Sequence, residues 1–562
     1  MSNNEGFTPP GPGTWQLEMT HFVRPVSRSM ATLFPEAMTA GFRWSMERYG
    51  MLLDCLEVKV VNRFLYFAAR GVAAPPDAKS HPPKLVFKLL TKVHPELRKR
   101  IRTVAEVFAT KRWRADVALW DTEWKPAFVR EHQALQNVDV RALGDDALVA
   151  HLARAFDTAR RAFQRHHSMN ATAMLPVGDF LAHVREWTGL MPADVLPLFR
   201  GSSRVSLGAA DEIAALGQAI QASPDAQTLL NGNDPQSIVD ALLARTDAVG
   251  DAMRRYIDVA GTRIATGYDF ADLTLAEMPE LIVENVRSAA APAGNVVSAN
   301  NVAELERQIR ERVPAQHRAA FDELLQDARL TYRIRDERGY LNDAWASGIA
   351  RRAILEAGMR LVRKGLLHEV HHAVELPPDE LMAMLAGGRG PSADETAEHA
   401  RFRIAHTTAD APQFLGGTPS GPPPAEWLPP AAARAERAIA IVMGEMFAVR
   451  DKQADAAKIS GFAASHGIVT GIARLVLDPR DMGRVRKGDV LITRSTSPAY
   501  NALLPLLLGV VTDRGGTLSH AAVVAREYGI PAVVGTGNAT ERIRDGARVR
   551  VNGATGLVEL LA

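Results

Sequence analysis

The spacing of apolar and polar positions changes twice along the chain. From Trp15 to about Met384, Ala, Leu, Arg and Glu recur at intervals of three and four residues, which is typical of amphipathic helices. The segments 145–161 and 302–333 show this spacing best. We therefore predict that residues 1–385 form one large, mainly α-helical domain.

Residues 386–458 are predicted to connect this domain to the next one. Between Gly387 and Pro430 the sequence contains GGRGPSADE, TPSGPPPAEW and LPP, and such Pro and Gly residues break helices and favour extended, solvated chain. Strong helix formers follow from Ala431 to about Gln453. This part of the connector is predicted to be a stiff linker helix.

Residues 459–562 have a different pattern, with short β-rich runs separated by glycines: GIVTGIARLVL, GDVLITR, LGVVTD, IPAVVG, ARVRVNG and GLVELLA. One helix is predicted after Ser519. This segment therefore predicts a small α/β domain. The expected fold class is a multidomain protein in which a large, mainly α-helical domain precedes a small α/β domain.

The stretch VVTDRGGTLSHAAVVAREYGIPAVVG predicts a strand, a tight turn and a short helix. The hydrophobic strand ends at Thr512, and Gly515 and Gly516 allow a turn with close backbone approach. The helix begins directly afterwards, with Thr517 or Ser519 as its N-terminal cap.

His520 lies in the first turn of that helix, where free backbone N–H groups and the helix dipole favour a bound anion. The dipole is expected to lower the pKa of the imidazole, so that the ring is neutral and nucleophilic near pH 7. Arg526, about two turns further, is available for phosphate oxygens. A histidine in such a place more often caps a helix or packs in a core, so its assignment depends on the surrounding motif.

That motif, GGTLSHAAVVAREYGIPAVVG, resembles the phosphohistidine motif of the phosphoenolpyruvate-utilising enzymes, which include pyruvate phosphate dikinase, phosphoenolpyruvate synthase and rifampin phosphotransferase. The resemblance extends over residues 459–562, including GDVLITRSTSPAY and DGARVRVNGATGLVEL. It implies a swivelling domain in which His520 is the catalytic phosphohistidine, assisted by Arg526. It also implies that four loop residues hold the phosphate: Gly515, Gly516, Thr517 and Ser519.

Two further polar residues, Thr493 and Ser497 in the TRSTSPAY loop, are weaker candidates for the phosphate site. Polar loop residues of this kind more often form turns.

The front of the chain is similar to the substrate domain of rifampin phosphotransferase and phenylphosphate synthase, in the segments TWQLEMTHFVRPVSR, RIRDERGYLND and GMRLVRKGLLHEVHHAVELPPDELMAML. The resemblance implies an acceptor-binding domain. Within it, His21 is the candidate base for the acceptor and Arg24 a candidate clamp for phosphate or substrate. Arg333, Arg335 and Glu337 are candidate pocket residues, although helices commonly carry such charges on a solvated face.

We find no G-x-x-x-x-G-K-[ST] loop and nothing that resembles an ATP-grasp domain. We therefore expect this chain to bind no cofactor, and we place ATP and Mg²⁺ on a separate ATP-grasp-type subunit, as in phenylphosphate synthase. We predict that the chain is the phosphocarrier and acceptor-binding subunit of a split ATP-dependent phosphotransferase. The acceptor is expected to be a hydroxyl of a small molecule, and aromatic molecules are among the candidates. The alternatives are a phosphorelay or regulatory protein that passes phosphate to a protein partner, and a carrier that has lost its donor.

Charge and cysteine content narrow the expected partners. Lys and Arg total 66 against 64 Asp and Glu, which gives no overall field for nucleic acid or anionic membranes. Cys55 is the single cysteine, and the N-terminus lacks the pattern of a secretory signal, so a cytoplasmic location is expected. The spacing of His368, His371 and His372 would suit a metal on one helical face, but the segment resembles a family helix that binds none, and no metal is predicted.

Overall fold

The computed structural model describes residues 6–78, 80–203, 209–291, 302–417, 421–450, 458–496 and 498–561. The chain folds into two compact units. The first unit comprises Met1–Pro176, Tyr268–Asp272 and Leu341–Ala438. The second unit comprises Val177–Gly267, Leu273–Tyr340 and Ile439–Ala562. These units group the chain differently from the predicted segments 1–385, 386–458 and 459–562, whose limits stay a prediction.

The first unit is mainly helical. Its α-helices, two of which continue into the second unit, are Arg28–Arg48, Lys84–Val93, Pro95–Thr110, Arg112–Leu119, Lys125–Gln136, Asp145–Ser168, Asn170–Thr188, Ala346–Arg363, Pro378–Leu385, Ala393–Ala405 and Pro430–Phe447. The helices Arg28–Arg48 and Asp145–Ser168 approach each other closely at Gly41, which has no side chain. A Cβ at this position would lie 2.3 Å from the carbonyl oxygen of Gln164. The predicted helical character of this part of the chain is confirmed.

The same unit contains an antiparallel sheet that the sequence analysis missed. In spatial order its strands are Leu53–Val61, Phe64–Gly71, Trp15–Leu17 and Phe414–Leu415. The first two strands form a hairpin through Asn62 and Arg63, both with positive φ angles, 45° and 67°. Two-residue hairpin loops need such angles and usually use Asn-Gly, so Asn-Arg gave a weak turn signal.

The prediction of extended chain between residues 387 and 430 is wrong for its middle part, which forms the helix Ala393–Ala405. Ser392 begins this helix with a capping box. Its hydroxyl accepts the amide N–H of Glu395 at 3.2 Å, while the Glu395 carboxylate accepts the amide of Ser392 at 2.8 Å. These two bonds satisfy exposed donors at the helix start and outweigh the helix-breaking composition around it.

The linker helix predicted from Ala431 to about Gln453 is found at Pro430–Phe447. Residues 451–457 lie outside the described part of the chain. The helix is therefore observed over most of its expected length.

The second unit combines helices with the predicted α/β segment. Its remaining helices are Pro192–Val195, Ala210–Gln221, Pro224–Leu229, Pro235–Ala244, Ala248–Tyr256, Pro279–Ala290, Val302–Arg312, Arg318–Tyr332, Ile334–Arg338, His520–Tyr528 and Ala539–Arg542. Its eight strands, in spatial order, are Lys458–Ser460, Leu557–Leu560, Arg548–Asn552, Ile468–Leu475, Asp489–Thr493, Leu507–Thr512, Ala532–Val534 and Phe462–Ser465. The predicted fold class is confirmed.

The middle of this sheet is parallel. The strands Ile468–Leu475, Asp489–Thr493, Leu507–Thr512 and Ala532–Val534 pair in parallel, and the outer pairs are antiparallel. The helix His520–Tyr528 makes the crossover between the third and fourth of these parallel strands. Ligands of parallel sheets bind beyond the carboxyl ends of the strands, which is where this helix begins.

One hydrophobic cluster joins the helices between residues 210 and 290 to the α/β segment. It includes Ile282 and Val286 from the helices, and Leu503, Val510 and Ala525 from the α/β segment. The two parts of the second unit therefore share a core.

Within the part of the chain that the structure describes, every helix is too short or too polar to cross a lipid bilayer.

Candidate functional site

Two neighbouring parallel strands, Asp489–Thr493 and Leu507–Thr512, end side by side. The loop after the first strand carries Thr496, and the loop after the second leads to His520. The Asp513 amide donates to the carbonyl oxygen of Thr493 at 3.1 Å, which holds the two loops together. The sheet thus brings two distant loops to one place.

The helix that carries His520 begins as the sequence predicted. Ser519 is its N-terminal cap, with its hydroxyl 3.4 Å from the amide nitrogen of Ala522. The helix ends at Gly529, whose φ angle of 68° is in the left-handed region that glycine favours. His520 is therefore the first helical residue.

His520 is partly buried, and its Nδ1 lies 3.2 Å from the hydroxyl of Thr496. The pKa of the imidazole is lowered to about 4, mainly by burial; Asp336 opposes the shift, and the nearby Arg335 adds to it. The predicted direction is thus found, but burial is its main cause. The ring is neutral at pH 7.

The hydroxyl of Thr496, which can donate or accept a hydrogen bond, occupies Nδ1 and leaves Nε2 without this contact. When Nδ1–H donates to the Thr496 hydroxyl, Nε2 keeps a free lone pair. A neutral imidazole held in this tautomer is a nucleophile at Nε2.

The glycine turn before His520 contacts the end of the linker helix. Gly515 has a φ angle of 99°. The Gly516 amide donates to the Met446 carbonyl oxygen at 3.3 Å, and the hydroxyl of Thr517 donates to the Glu445 carboxylate. The phosphate-binding role of Gly515, Gly516, Thr517 and Ser519 stays a prediction.

Arg526 is buried and is held by two acceptors. One of its Nη atoms donates to the Ala464 carbonyl oxygen at 3.0 Å, and the other to the Tyr332 hydroxyl at 3.3 Å. Arg526 is six positions after His520 on the helix, which corresponds to ~9 Å of rise. Its phosphate contact also stays a prediction.

The three predicted pocket residues between positions 333 and 337 make different contacts: two pair with each other, and the third binds the loop before His520. Arg333 and Glu337 form an ion pair at 2.8 Å. Arg335 instead donates to the carbonyl oxygen of Leu518, two residues before His520. Arg335 is thereby placed beside the His520 loop.

His21 and Arg24 belong to the first unit, whereas His520 belongs to the second. His21 is exposed, with Nδ1 3.0 Å from the Glu18 carboxylate and its ring edge-on to Tyr268 at 5.1 Å between centroids. Arg24 donates to the carbonyl oxygen of Ile404. Their roles toward an acceptor stay predictions.

Comparison with known families decides what this site belongs to. The model of the PEP-utilising enzyme mobile domain matches residues 485–556, which include His520 and its loops. Residues 485–556 therefore resemble the mobile domain of the PEP-utilising enzymes, and we call this segment the mobile domain. A second model, the rifampicin phosphotransferase fourth domain, matches residues 165–338, which include Arg335. The resemblance to this enzyme family is confirmed.

Several curated proteins are similar to the chain over part of their length. The uncharacterized phosphotransferase YvkC of Bacillus subtilis (strain 168) is 28% identical over 357 residues, or 61% of this chain and 40% of YvkC. Rifampicin phosphotransferase of Streptomyces sviceus is 47% identical over 113 residues, 20% of this chain and 13% of that enzyme. The probable phosphoenolpyruvate synthase of Staphylothermus marinus is 45% identical over 102 residues, 18% and 12% of the two chains. The chain thus spans well under half the length of these relatives.

The structure adds residues that sequence reasoning missed. Thr496 lies in the TRSTSPAY loop, in which Thr493 and Ser497 were named as weaker candidates. Thr493 is buried, with its hydroxyl 3.4 Å from that of Tyr500, and Ser497 lies outside the described residues. Asp336 is buried and accepts a hydrogen bond from the Ser203 hydroxyl at 3.1 Å. The polar residues around position 496 were a sequence signal for Thr496, whereas no local sequence pattern marked Asp336.

Replacement of Thr496 by valine tests its role in the mobile domain. We expect phosphorylation of His520 to slow by about 10-fold, because Nδ1 loses the hydrogen-bond partner that orients the ring. We also expect a larger share of phosphate on Nδ1, measured by phosphorus NMR of the labelled protein. Thr496→Ser, which keeps the hydroxyl, serves as the control, and an unchanged isomer ratio in Thr496→Val would contradict the assignment.

Glu527, on the helix His520–Tyr528, is a third missed residue. Its carboxylate accepts the Gly201 amide at 2.8 Å. Burial is the main cause that raises the pKa of Glu527 to about 7, and Asp336 adds to it. The unfolded chain releases this proton near pH 4.5, whereas the folded protein keeps it until about pH 7. The wild type therefore loses stability as the pH rises through this window.

The variant Glu527→Gln removes the titration but keeps the acceptor for Gly201. We expect the variant to gain about 1–3 kcal/mol in the free energy of unfolding over the wild type between pH 4.5 and pH 8. Denaturant unfolding at both pH values measures this. Equal differences at the two pH values would show that Glu527 does not titrate in this window.

The histidines considered for a metal do not share one helical face. Residues Val370–Glu375 form a 3₁₀-helix rather than an α-helix, and His368 lies 2.7 Å from the Asp394 carboxylate. Among the described residues, no group of three or more His, Cys, Asp or Glu side chains is placed to hold a metal ion.

Proposed function

We propose that this chain is the phosphocarrier and acceptor-binding subunit of a split ATP-dependent phosphotransferase. The observation that carries the proposal is the neutral imidazole of His520, which begins a helix in the mobile domain with Nδ1 held by Thr496. This arrangement leaves Nε2 available as the nucleophile.

The proposed reaction has two transfers. In the first, Nε2 of His520 attacks a phosphoryl group of ATP held with Mg²⁺ on a separate subunit; the N–P bond forms and the anhydride P–O bond breaks. In the second, the acceptor oxygen attacks the same phosphorus, the N–P bond breaks and the acceptor proton leaves to a base. Such transfers depend mainly on alignment and charge neutralisation.

The guanidinium of Arg335 supports the first transfer. Arg335 is bound to the loop that precedes the ring and lies close enough to lower the pKa of His520. A positive charge in this place would stabilise a phosphoryl group on the ring. Asp336, which opposes it, would help to hold the imidazole.

A row of rings in the first unit supports an aromatic acceptor. Ring centroids lie 6.2 Å apart for Phe22 and Tyr268, 5.3 Å for Phe22 and Phe34, and 5.8 Å for Phe34 and His167. His21, the predicted base, contacts Tyr268 at one end of this row. Phe22 is buried, whereas Phe34, His167 and Tyr268 are partly buried and would offer ring contacts to an aromatic molecule, with His21 as the base for its hydroxyl.

The experiment combines the protein with a candidate ATP-grasp subunit and with ATP labelled at the β or γ position. We expect acid-labile label on this chain, followed by its transfer to one member of a panel of phenols and alcohols. Transfer to a protein and to none of the small molecules would favour the phosphorelay alternative. Acid-stable label would contradict a phosphohistidine.

A further inference from the structure

We propose that the last turn of the linker helix is a latch on the glycine loop of the mobile domain, and that phosphorylation of His520 opens it. The latch consists of Glu445 and Met446 on the helix and residues 516–518 on the loop. The inference rests on the proposed phosphohistidine, but it concerns a different event, the release of the linker.

Three hydrogen bonds close the latch. The amide of Leu518 donates to the Glu445 carbonyl oxygen at 2.9 Å, and the amide of Gly516 donates to the Met446 carbonyl oxygen at 3.3 Å. The hydroxyl of Thr517 donates to the Glu445 carboxylate. The donors that a phosphate at this loop would use are therefore taken by oxygens of the linker helix.

The fit between loop and helix is close. A Cβ at Gly516 would lie 2.4 Å from the Glu445 carbonyl oxygen and 3.0 Å from the Cβ of Ala448. Beyond the helix, the Arg450 amide donates to the Gly535 carbonyl oxygen at 2.9 Å. Glycine at position 516 thus lets the linker approach the loop.

The charges of the latch and of a phosphoryl group are alike. The C-terminal end of a helix carries partial negative charge, and Glu445 adds a carboxylate beside it. A phosphoryl group on His520, three residues after Thr517, brings nearly two further negative charges to the same loop. Repulsion and competition for the loop donors both favour release of the linker helix after phosphorylation.

Hydrogen exchange of the full chain tests this without a partner subunit. Phosphoramidate serves as the phosphoryl donor: its P–N bond breaks, ammonia leaves, and the N–P bond forms at Nε2 of His520. We expect the amides of Gly516 and Leu518 to exchange at least about 10-fold faster after phosphorylation. His520→Ala treated with phosphoramidate controls for the reagent and should show no change.

Two variants separate charge from hydrogen bonding. Glu445→Gln keeps an acceptor for Thr517 but removes the charge, and we expect it to speed phosphorylation of His520 by about threefold. Thr517→Val removes the hydrogen bond from the other side and should raise exchange at Leu518 before phosphorylation. Glu559→Gln, on the strand Leu557–Leu560 of the same domain, is the matched control and should change neither.

The possible failures are distinct. Phosphorylated protein with unchanged exchange at Gly516 and Leu518 would overturn the latch and leave the phosphohistidine intact. Wild-type protein that takes no acid-labile phosphate from phosphoramidate would overturn both.

Discussion

Replacement of His520 by alanine will remove the acid-labile phosphoryl label, with a loss of at least about 100-fold relative to the wild type. The reason is that in the proposed reaction the label is a covalent bond to Nε2, while the other ring nitrogen, Nδ1, contacts Thr496 in the wild type. Labelling with radioactive ATP and the candidate ATP-grasp subunit, followed by acid treatment, measures the effect.

A matched control lies in the same domain. His466 is exposed in the turn between two strands, and His466→Ala should keep full labelling. His21→Ala should also keep the label on His520 but slow its transfer to the acceptor, because His21 is the predicted base of the second step. Equal labelling of His520→Ala and the wild type would refute the carrier role.

Replacement of Gly553 by alanine will destabilise the mobile domain by more than about 3 kcal/mol. A Cβ at this position would lie 1.8 Å from the Ser465 carbonyl oxygen and 2.9 Å from the Ala532 nitrogen. Both obstacles are backbone atoms of neighbouring strands, so no side chain can move aside. The Gly553 amide also donates to Gly467 at 2.8 Å, and displacement would break that bond.

Thermal and denaturant unfolding, together with the yield of labelled protein, test this effect. Gly444→Ala is the control, since a Cβ there meets no atom within 4 Å and the residue lies in the helix Pro430–Phe447. Alanine in a helix interior is favoured over glycine by up to about 1 kcal/mol, so this control should be neutral or stabilising. Equal stability of Gly553→Ala and the wild type would contradict the close packing of Gly553 against the backbone of Ser465 and Ala532.

The local features of the site were predictable from sequence. The strand ending at Thr512, the Ser519 cap and the Gly529 terminus each depend on a few neighbouring residues, and each appears in the structure. The position of His520 follows from them. These signals act within one turn of chain, which is the range that a single sequence can report.

The surroundings of His520 were not predictable in the same way. Arg335 reaches Leu518 across 183 residues, and Thr496 reaches His520 only because two strands pair in parallel. Helix dipole alone gave the correct direction for the pKa of His520, but its main cause, burial, requires the packed structure. Contacts of this length leave no local pattern.

Composition led to the wrong prediction of extended chain where the helix Ala393–Ala405 forms. The stretch GGRGPSADE was treated as one Pro- and Gly-rich segment, although its Ser392 and Glu395 have the spacing of a capping box. The signal was present but was outweighed by averaging over neighbouring residues. The missed hairpin at Asn62 has the same origin, since its alternating strands lie within a region of helical spacing.

The hydrophobic cluster that joins Ile282 and Val286 to Leu503 and Val510 affects how often the mobile domain can separate from the helices between residues 210 and 290 in the proposed cycle. Any excursion of the mobile domain exposes these side chains to water, at ~25 cal/mol for each Å² of apolar surface. In the proposed cycle, this cost favours the packed arrangement over the separated one. Separation of the mobile domain, rather than phosphoryl transfer at His520, would then limit the rate of turnover.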